Sequence, residues 1–563
     1  MKTIVLVYLC IITCGSAFAQ KIYTGNEAAD YVQSERDKAW VYYDKKDHSM
    51  AEIEKAIRIL DNAVAFLDTP YIKEMAKTNP YLYYRRQDAL RDLAGGYAMA
   101  NKNDSARLTL IRMYNANATS NAARILLTDT IFTTVRDEPW FRDIVTKLQN
   151  KGNMWNYKAL NTPYQASLPE AEKLAGLALL WTQARYNFVN FDRLDKDWNQ
   201  TYLDFIPKVQ NTKTTAEYYR VLMNFYAQLK DGHTNVYVPD SLAAEFYSRP
   251  PFRTELIEGR VFVTQVMSDS LLKTGITPGL EVLKIDGQPV ISYAEQNVKP
   301  YQSSSTPQDM EVREFTYGLL SGPKNKPIAF QFKDQKGNII DRIVPRTGYH
   351  DVKGLKTMEY KTINNIGYLT INNFEDNSII KQFDSLYTAE ISKTKGLIID
   401  IRYNGGGSGN IGFNIISRLT DKPFKISASK TLKYVSKPNA EPFWEDNGPG
   451  IWNANGKIYY DKPVIVLIGP RTFSAAEDFT VAFDFMKRGR LVGMATGGST
   501  GQPVPFDLPG GGSARVCGKH DSYPDGKEFV GIGIMPDIVV KKTIKDLRNG
   551  RDAAKETALK LLN

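Results

Sequence analysis

Between residues 463 and 486 the chain runs from a short apolar stretch, Pro463-Val-Ile-Val-Leu-Ile-Gly469, through the turn Arg471-Thr-Phe-Ser474 into a helical pattern, Ala475 to Met486. The first stretch has the length and β-branched content of a buried strand, and the second carries apolar residues at three- and four-residue spacing. A strand that feeds directly into a helix needs a sheet with helices on its faces, which confines this part of the chain to an α/β arrangement. The junction also sets Ser474 where side chains stand clear of the sheet and free backbone N–H groups point outward. Two readings of that serine are open. One is a nucleophile; the other is a helix cap, because Glu477 follows at the spacing of a capping box.

The same alternation extends on either side. Ile366 to Ile371 and Gly396 to Ile401 read as strands, 378–392 and 411–419 as helices, and Leu491 to Gly493 as a further strand, so the expectation is a parallel or mixed sheet. Between one strand and the next helix lies the glycine-dense turn Arg402-Tyr-Asn-Gly405-Gly406-Gly407-Ser-Gly409. It lacks the G-x-G-x-x-G spacing and the Gly-Lys-Ser/Thr ending of nucleotide-binding loops. It could be a plain tight turn, or a place where unshielded N–H groups approach a reacting carbonyl. The last reading fits a nearby Ser474.

Upstream, Ala28 to Asn150 is helical in pattern, for example Glu52 to Phe66 and Asp88 to Ala100. Its closing Val135-Arg-Asp-Glu-Pro-Trp-Phe141 resembles the end of tetratricopeptide-like repeats, and such helices are a possible protein-partner surface. Two further helices, Ala175 to Val189 and Glu217 to Leu229, lead into Lys230-Asp-Gly-His233-Thr, where Gly232 ends a helix and Val236 and Val238 begin a strand. His233 is alone among the four histidines in sitting at such a corner. From Phe252 to Pro345 short strands alternate with turns, and Gly279-Leu-Glu-Val with Ile285-Asp-Gly-Gln-Pro-Val290 resembles a PDZ domain, a module that binds extended peptides at a sheet edge. A small β-barrel is the alternative.

The 563 residues carry a net charge of +10, but the basic residues are dispersed and form no nucleic-acid patch. The first residues, with one charge at Lys2, an apolar run from Ile4 to Ile12 and Ala17-Phe-Ala19, read as a secretory signal cleaved after Ala19. That predicts export, to periplasm or cell exterior, with no membrane span. Removing the signal takes two of the three cysteines and leaves Cys517, so no internal disulfide is expected. The histidines and cysteines show no metal-ligand spacing, and no cofactor is expected.

Taken together and in order, Leu229-Lys-Asp-Gly-His-Thr, the PDZ-like module, Gly367-Tyr-Leu-Thr-Ile, Asp400-Ile-Arg-Tyr-Asn-Gly-Gly-Gly, Thr472-Phe-Ser-Ala-Ala-Glu and Gly531-Ile-Gly-Ile-Met-Pro-Asp537 resemble the tail-specific, or C-terminal processing, serine peptidases. The likeness is to the branch that includes the tricorn core protease and the retinoid-binding-protein repeats. It implies a multidomain α+β and α/β chain: a helical, tetratricopeptide-like domain over 20–160, a helical cap with the His motif over 161–250, a PDZ-like domain over 251–350, a crotonase-like α/β peptidase core over 351–545 and a C-terminal helix over 546–563. It also implies Ser474 as nucleophile, with the amide of Ala475 and that of Gly405 or Gly406 as oxyanion donors. Where one branch of the family has a lysine base, this chain has Ala495-Thr-Gly-Gly-Ser499-Thr-Gly-Gln502, which leaves His233 as base. The acid that orients it is expected to be Glu528, with Glu477 as the second candidate. The tricorn-like pattern has Ser before the base; Gly232 stands there, and Ser499 is a possible auxiliary substitute. The expected activity is hydrolysis of peptides or unfolded proteins, and the alternative is an inactive peptide- or lipid-binding protein on the same fold.

Overall fold

A computed structural model describes residues 23–45, 47–76, 79–153, 160–348, 356–434 and 442–563. The expected signal segment and its cleavage point at Ala19 lie outside the described residues. The chain divides into two compact units, residues 1–158 and 159–563.

The first unit is helical throughout its described residues. Helices Gly25–Tyr43, Met50–Leu67, Pro80–Met99 and Asn103–Asn115 pack on one another. Capping boxes start two of them, at Thr24 with Glu27 and at Ser49 with Glu52. Ile53, Ile57, Leu60, Val64 and Leu67 repeat at helical spacing and are all buried in one core. Among the described residues two charged side chains are buried in this unit, Arg36 and Asp92, and they pair: Arg36 donates to Asp92 at 2.7 Å, and Trp40 Nε1 donates to the same oxygen at 2.8 Å.

In the second unit a six-stranded sheet holds the order Ile538–Val539, Arg490–Gly493, Val464–Ile468, Gly396–Asp400, Ile366–Ile371, Met358–Ile363. Every neighbouring pair is parallel except the last, so the sheet is mixed. Strands Gly396–Asp400 and Val464–Ile468 are buried at every position, which explains why they read as unbroken apolar runs. Successive residues face opposite layers. Leu397, Ile399, Val464, Val466 and Ile468 join a core with helices Gly409–Ile416 and Ala475–Phe485, while Ile398, Ile465 and Leu467 meet the C-terminal helix Ala553–Leu562.

Three further sheets lie in this unit, one six-stranded and two three-stranded. Strands Phe252–Ile257, Arg260–Val266, Glu281–Ile285, Ile328–Lys333 and Ile339–Val344 form an antiparallel sheet in the order first, second, third, fourth, fifth, with Gln288–Pro289 paired to the third. Asn235–Tyr237 pairs antiparallel with Ser513–Cys517, which pairs with Pro503–Asp507. A hairpin, Phe424–Lys433 with Phe443–Trp452, is joined by His520–Ser522. No helix among the described residues is long and apolar enough to cross a membrane.

Candidate active site

Ser474 lies between the end of strand Val464–Ile468 and helix Ala475–Phe485, with φ 57° and ψ −129°. This backbone conformation is uncommon for a residue with a side chain and holds the hydroxyl clear of the helix axis. The turn is tied down on both flanks. Phe473 N–H donates to the Asn404 carbonyl at 3.0 Å, and Ser474 N–H donates to the Ser499 carbonyl at 3.1 Å. Ser474 makes no capping bond, so the capping-box reading is corrected: with φ positive its side chain turns away from the first-turn amides.

The serine meets a residue distant in sequence. His233 Nε2 is 2.9 Å from Ser474 Oγ across 241 positions, and His233 Nδ1 is 2.9 Å from Ser499 Oγ. Pairing of Asn235–Tyr237 with Ser513–Cys517 fixes the strand that follows the histidine. Asp231 fixes the loop before it, accepting from His233 N–H and from Thr234 Oγ1, each at 2.9 Å. The Phe473 ring stacks on the imidazole at 4.9 Å between centroids. Burial, then the positive field of Arg515, Arg313 and Lys519, holds the imidazole well below the usual histidine range. It stands neutral, with Nε2 turned to the Ser474 hydroxyl.

The position before His233 accounts for Ser499. A Cβ on Gly232 would stand 2.7 Å from the Phe473 ring and 2.9 Å from Ser499 Oγ. The Ser499 hydroxyl therefore borders the space that a side chain at 232 would take.

Glu477 is fully buried and turns toward the loop that carries Ser499. Its carboxyl accepts from Thr496 Oγ1 at 2.5 Å, Gly498 N–H at 2.7 Å and Ser499 N–H at 2.8 Å. Burial pushes this carboxyl up to about 8, against the pull of those three donors. A carboxyl with a folded value above its unfolded value of 4.5 holds its proton more tightly in the folded chain. Its stabilisation is complete below the unfolded value and is lost as pH rises through the folded one. Glu477→Gln is thus expected to flatten the decline in melting temperature between about pH 5 and about pH 8. Thermal unfolding across that range checks this, and a variant profile parallel to wild type would exclude Glu477 as the source.

Glu528 does not reach His233, a correction to the expected orienting acid. Its carboxylate oxygens lie 2.9 and 3.0 Å from His520 Nε2, and one lies 3.8 Å from Arg193. The physical reason is the strand His520–Ser522, which pairs with the hairpin and presents the His520 ring to that carboxylate. On its other side His520 Nδ1 is 3.2 Å from Asn190 Oδ1, and Asn190 Nδ2 donates to Asp231 at 3.2 Å.

The glycine turn packs against the serine. A Cβ on Gly406 would stand 2.7 Å from Ser474 Cβ and 3.1 Å from Ala475 N, so only glycine allows this approach. The Gly406 amide is engaged by Asn404 Oδ1 at 2.9 Å. Among the described residues the amides of Gly405 and Ala475 donate to no protein acceptor. Asn404, Asp231, Thr496 and Phe473 carry this geometry, yet the sequence reading assigned none of them a role. Asp231, two residues before His233, is the one with a local signal, since Asp at that spacing commonly holds a following amide.

A hydroxyl held against an imidazole at the head of a helix, above a mixed sheet, is the arrangement of a serine hydrolase. Residues 365–540 match the family model described as Peptidase family S41. A probable CtpA-like serine protease of Staphylococcus haemolyticus is 25% identical over 282 residues, covering 50% of each chain. A carboxyl-terminal-processing protease of Synechocystis is 28% identical over 200 residues, covering 35% of this chain and 44% of that one. The chain thus spans about half the length of the curated relatives it matches. The structure of mature CPAF complexed with lactacystin shares the fold, with a TM-score of 0.57 at 18% identity over 70% of this chain and 98% of that one.

Proposed function

We propose that this chain is an exported serine peptidase that cleaves peptides or unfolded proteins through an acyl-enzyme on Ser474. The observation that carries the reading is the 2.9 Å approach of His233 Nε2 to Ser474 Oγ. His233 takes the hydroxyl proton as Oγ bonds to the substrate carbonyl carbon, then passes it to the departing amine as the C–N bond breaks. Water, activated by the same imidazole, releases the acyl group. The free amides of Ala475 and Gly405 receive the oxyanion, while Gly406 supplies the close approach. Nδ1–H of His233 donates to Ser499 Oγ, which sets the tautomer that leaves Nε2 as the acceptor. Glu477 holds the Ser499 backbone and so acts as a positioning residue one step removed. The Lys-base mechanism has no residue to carry it here.

In this reading the antiparallel sheet over 252–344 is a PDZ-like module, the six-stranded sheet with its helices is a crotonase-like core, and the first unit is a tetratricopeptide-like surface for a partner. Export rests on the apolar run Ile4 to Ile12 and on Ala17-Phe-Ala19.

Fluorophosphonate labelling followed by peptide mapping tests the scheme. A single adduct on Ser474 is expected, absent in Ser474→Ala and slowed about a hundredfold or more in His233→Ala. Undiminished labelling of His233→Ala would remove the base, and a folded wild type that never labels would make the chain a peptide-binding protein instead.

A further inference from the structure

The strand after His233 forms one wall of a cavity of about 680 Å³ that the catalytic scheme does not use. That strand is Asn235–Tyr237, and helix Thr215–Ala227 with the module over 252–344 contributes much of the rest. Six cationic side chains line it, Arg220, Arg249, Arg313, Lys326, Arg346 and Arg515, against a single carboxylate, Asp286.

Some of that charge is answered within the protein. Arg313 donates to the buried Asp309 at 2.7 Å, and Lys326 lies 3.9 Å from Asp286. Arg346, 2% exposed, donates to the carbonyls of Leu320 and Lys326. Arg220 and Arg515 are different: among the described residues neither forms an ion pair. Arg220 lies over the Phe246 ring at 4.5 Å, and Arg515 donates to Asn235 Oδ1 at 3.0 and 3.2 Å while lying over Tyr237. Guanidiniums that are half-buried without a counter-charge favour an anionic ligand.

A second feature points to the kind of ligand. Strand Asn235–Tyr237 is terminal in its three-stranded sheet, so one edge is paired to no other strand, and Thr234 to Tyr237 line the cavity. An unpaired strand edge accepts an extended peptide backbone. The site adjoins the catalytic pair, because Arg313 donates to the Gly232 carbonyl at 3.0 Å and lies 5.4 Å from the Phe473 ring that stacks on His233.

We propose that this cavity binds a peptide carboxylate, the backbone running along the edge of Asn235–Tyr237 and the carboxylate held by the guanidiniums of Arg220 and Arg515. The inference deepens the peptidase reading and rests on it for the choice of a peptide. The carboxylate is a chain terminus or an acidic side chain, sources that the chemistry shares and the experiment separates.

The test uses the full chain carrying Ser474→Ala, so that no hydrolysis intervenes, and titration calorimetry with three pentapeptides of one neutral core. The first has a free carboxy terminus, the second is amidated, and the third is amidated with one Asp. The first or the third is expected to bind about tenfold or more tightly than the second, and whichever does so names the source. Arg220→Gln and Arg515→Gln, each added separately, are expected to erase that advantage and leave the amidated peptide's affinity unchanged. Equal affinity of all three peptides overturns the proposal, as does an advantage that survives both arginine variants or inorganic phosphate binding in the peptides' place. Should an arginine variant fail to fold, a salt series decides: the advantage must shrink as ionic strength rises, and an advantage insensitive to salt also overturns it. Fluorophosphonate labelling of wild type tests the peptidase reading separately.

Discussion

Ser474→Ala is expected to lower peptide turnover by on the order of 10⁵-fold, while the chain stays folded. The size follows from the role assigned to the hydroxyl: without it neither His233 nor the oxyanion donors have a covalent step to assist, and what remains is binding and electrostatics. Stability should respond differently. The backbone at 474 sits at φ 57°, ψ −129°, a region that costs a residue with a Cβ about 1–3 kcal/mol. Alanine keeps that strain and glycine removes it. Ser474→Gly is therefore expected to melt above Ser474→Ala, even though glycine loses about 0.5–1 kcal/mol more in chain entropy on folding. Progress curves on a fluorogenic peptide check the first expectation and calorimetric melting the second. An alanine variant with residual turnover within tenfold of wild type would move the nucleophile elsewhere, and a glycine variant melting below alanine would mean that the bend is not strained.

Local signals were enough to locate this bend and not enough to describe its surroundings. The run Val464–Ile468 reads as a strand because every one of its side chains is buried, and the glycine turn after Asp400 announces a close approach because its residues have no side chains to prevent one. Both facts are written in short windows. The capping-box reading of Ser474 used a window of the same length and failed, because residue spacing carries no information about φ. Glu528 failed for a different reason. Two residues of shift along a strand preserve its face, but the acid's partner is set by the pairing of His520–Ser522 with a hairpin, Phe424–Lys433 and Phe443–Trp452, far upstream in the chain. The hairpin itself went unread: its burial alternates weakly, with Phe443, Trp444 and Ile451 exposed, so its strands lack a clean period of two. Ser499 is the intermediate case. The lack of a side chain at Gly232 raised the question of a substitute, and only the tertiary contact at 2.9 Å supplies a partner for Nδ1.

Gly406→Ala is expected to reduce activity about a hundredfold and to destabilise the chain by about 1–3 kcal/mol. At φ 104° an L-residue is strained whatever space surrounds it, and here there is none: the added Cβ would meet Ser474 Cβ at 2.7 Å, the Phe473 carbonyl oxygen at 2.9 Å and Ala475 N at 3.1 Å. Two of those atoms are backbone, so relief cannot come from a rotamer change and must come from moving the nucleophile turn. A displacement of about 1 Å there carries Ser474 Oγ away from His233 Nε2 and shifts the Ala475 amide from its proposed oxyanion position at once. The neighbouring glycine supplies the control. A Cβ on Gly405 would have no atom within 4 Å, and its φ lies outside the left-handed region, so Gly405→Ala should hold stability within about 0.5 kcal/mol of wild type. Its amide is retained as well, which confines any loss of rate in that variant to a methyl group in open space. Denaturant unfolding and kcat/KM for the two variants separate the cases. Equal stability of both would mean that the turn yields without strain, whereas a stable but inactive Gly406→Ala would place its whole effect on the position of the reacting oxygen.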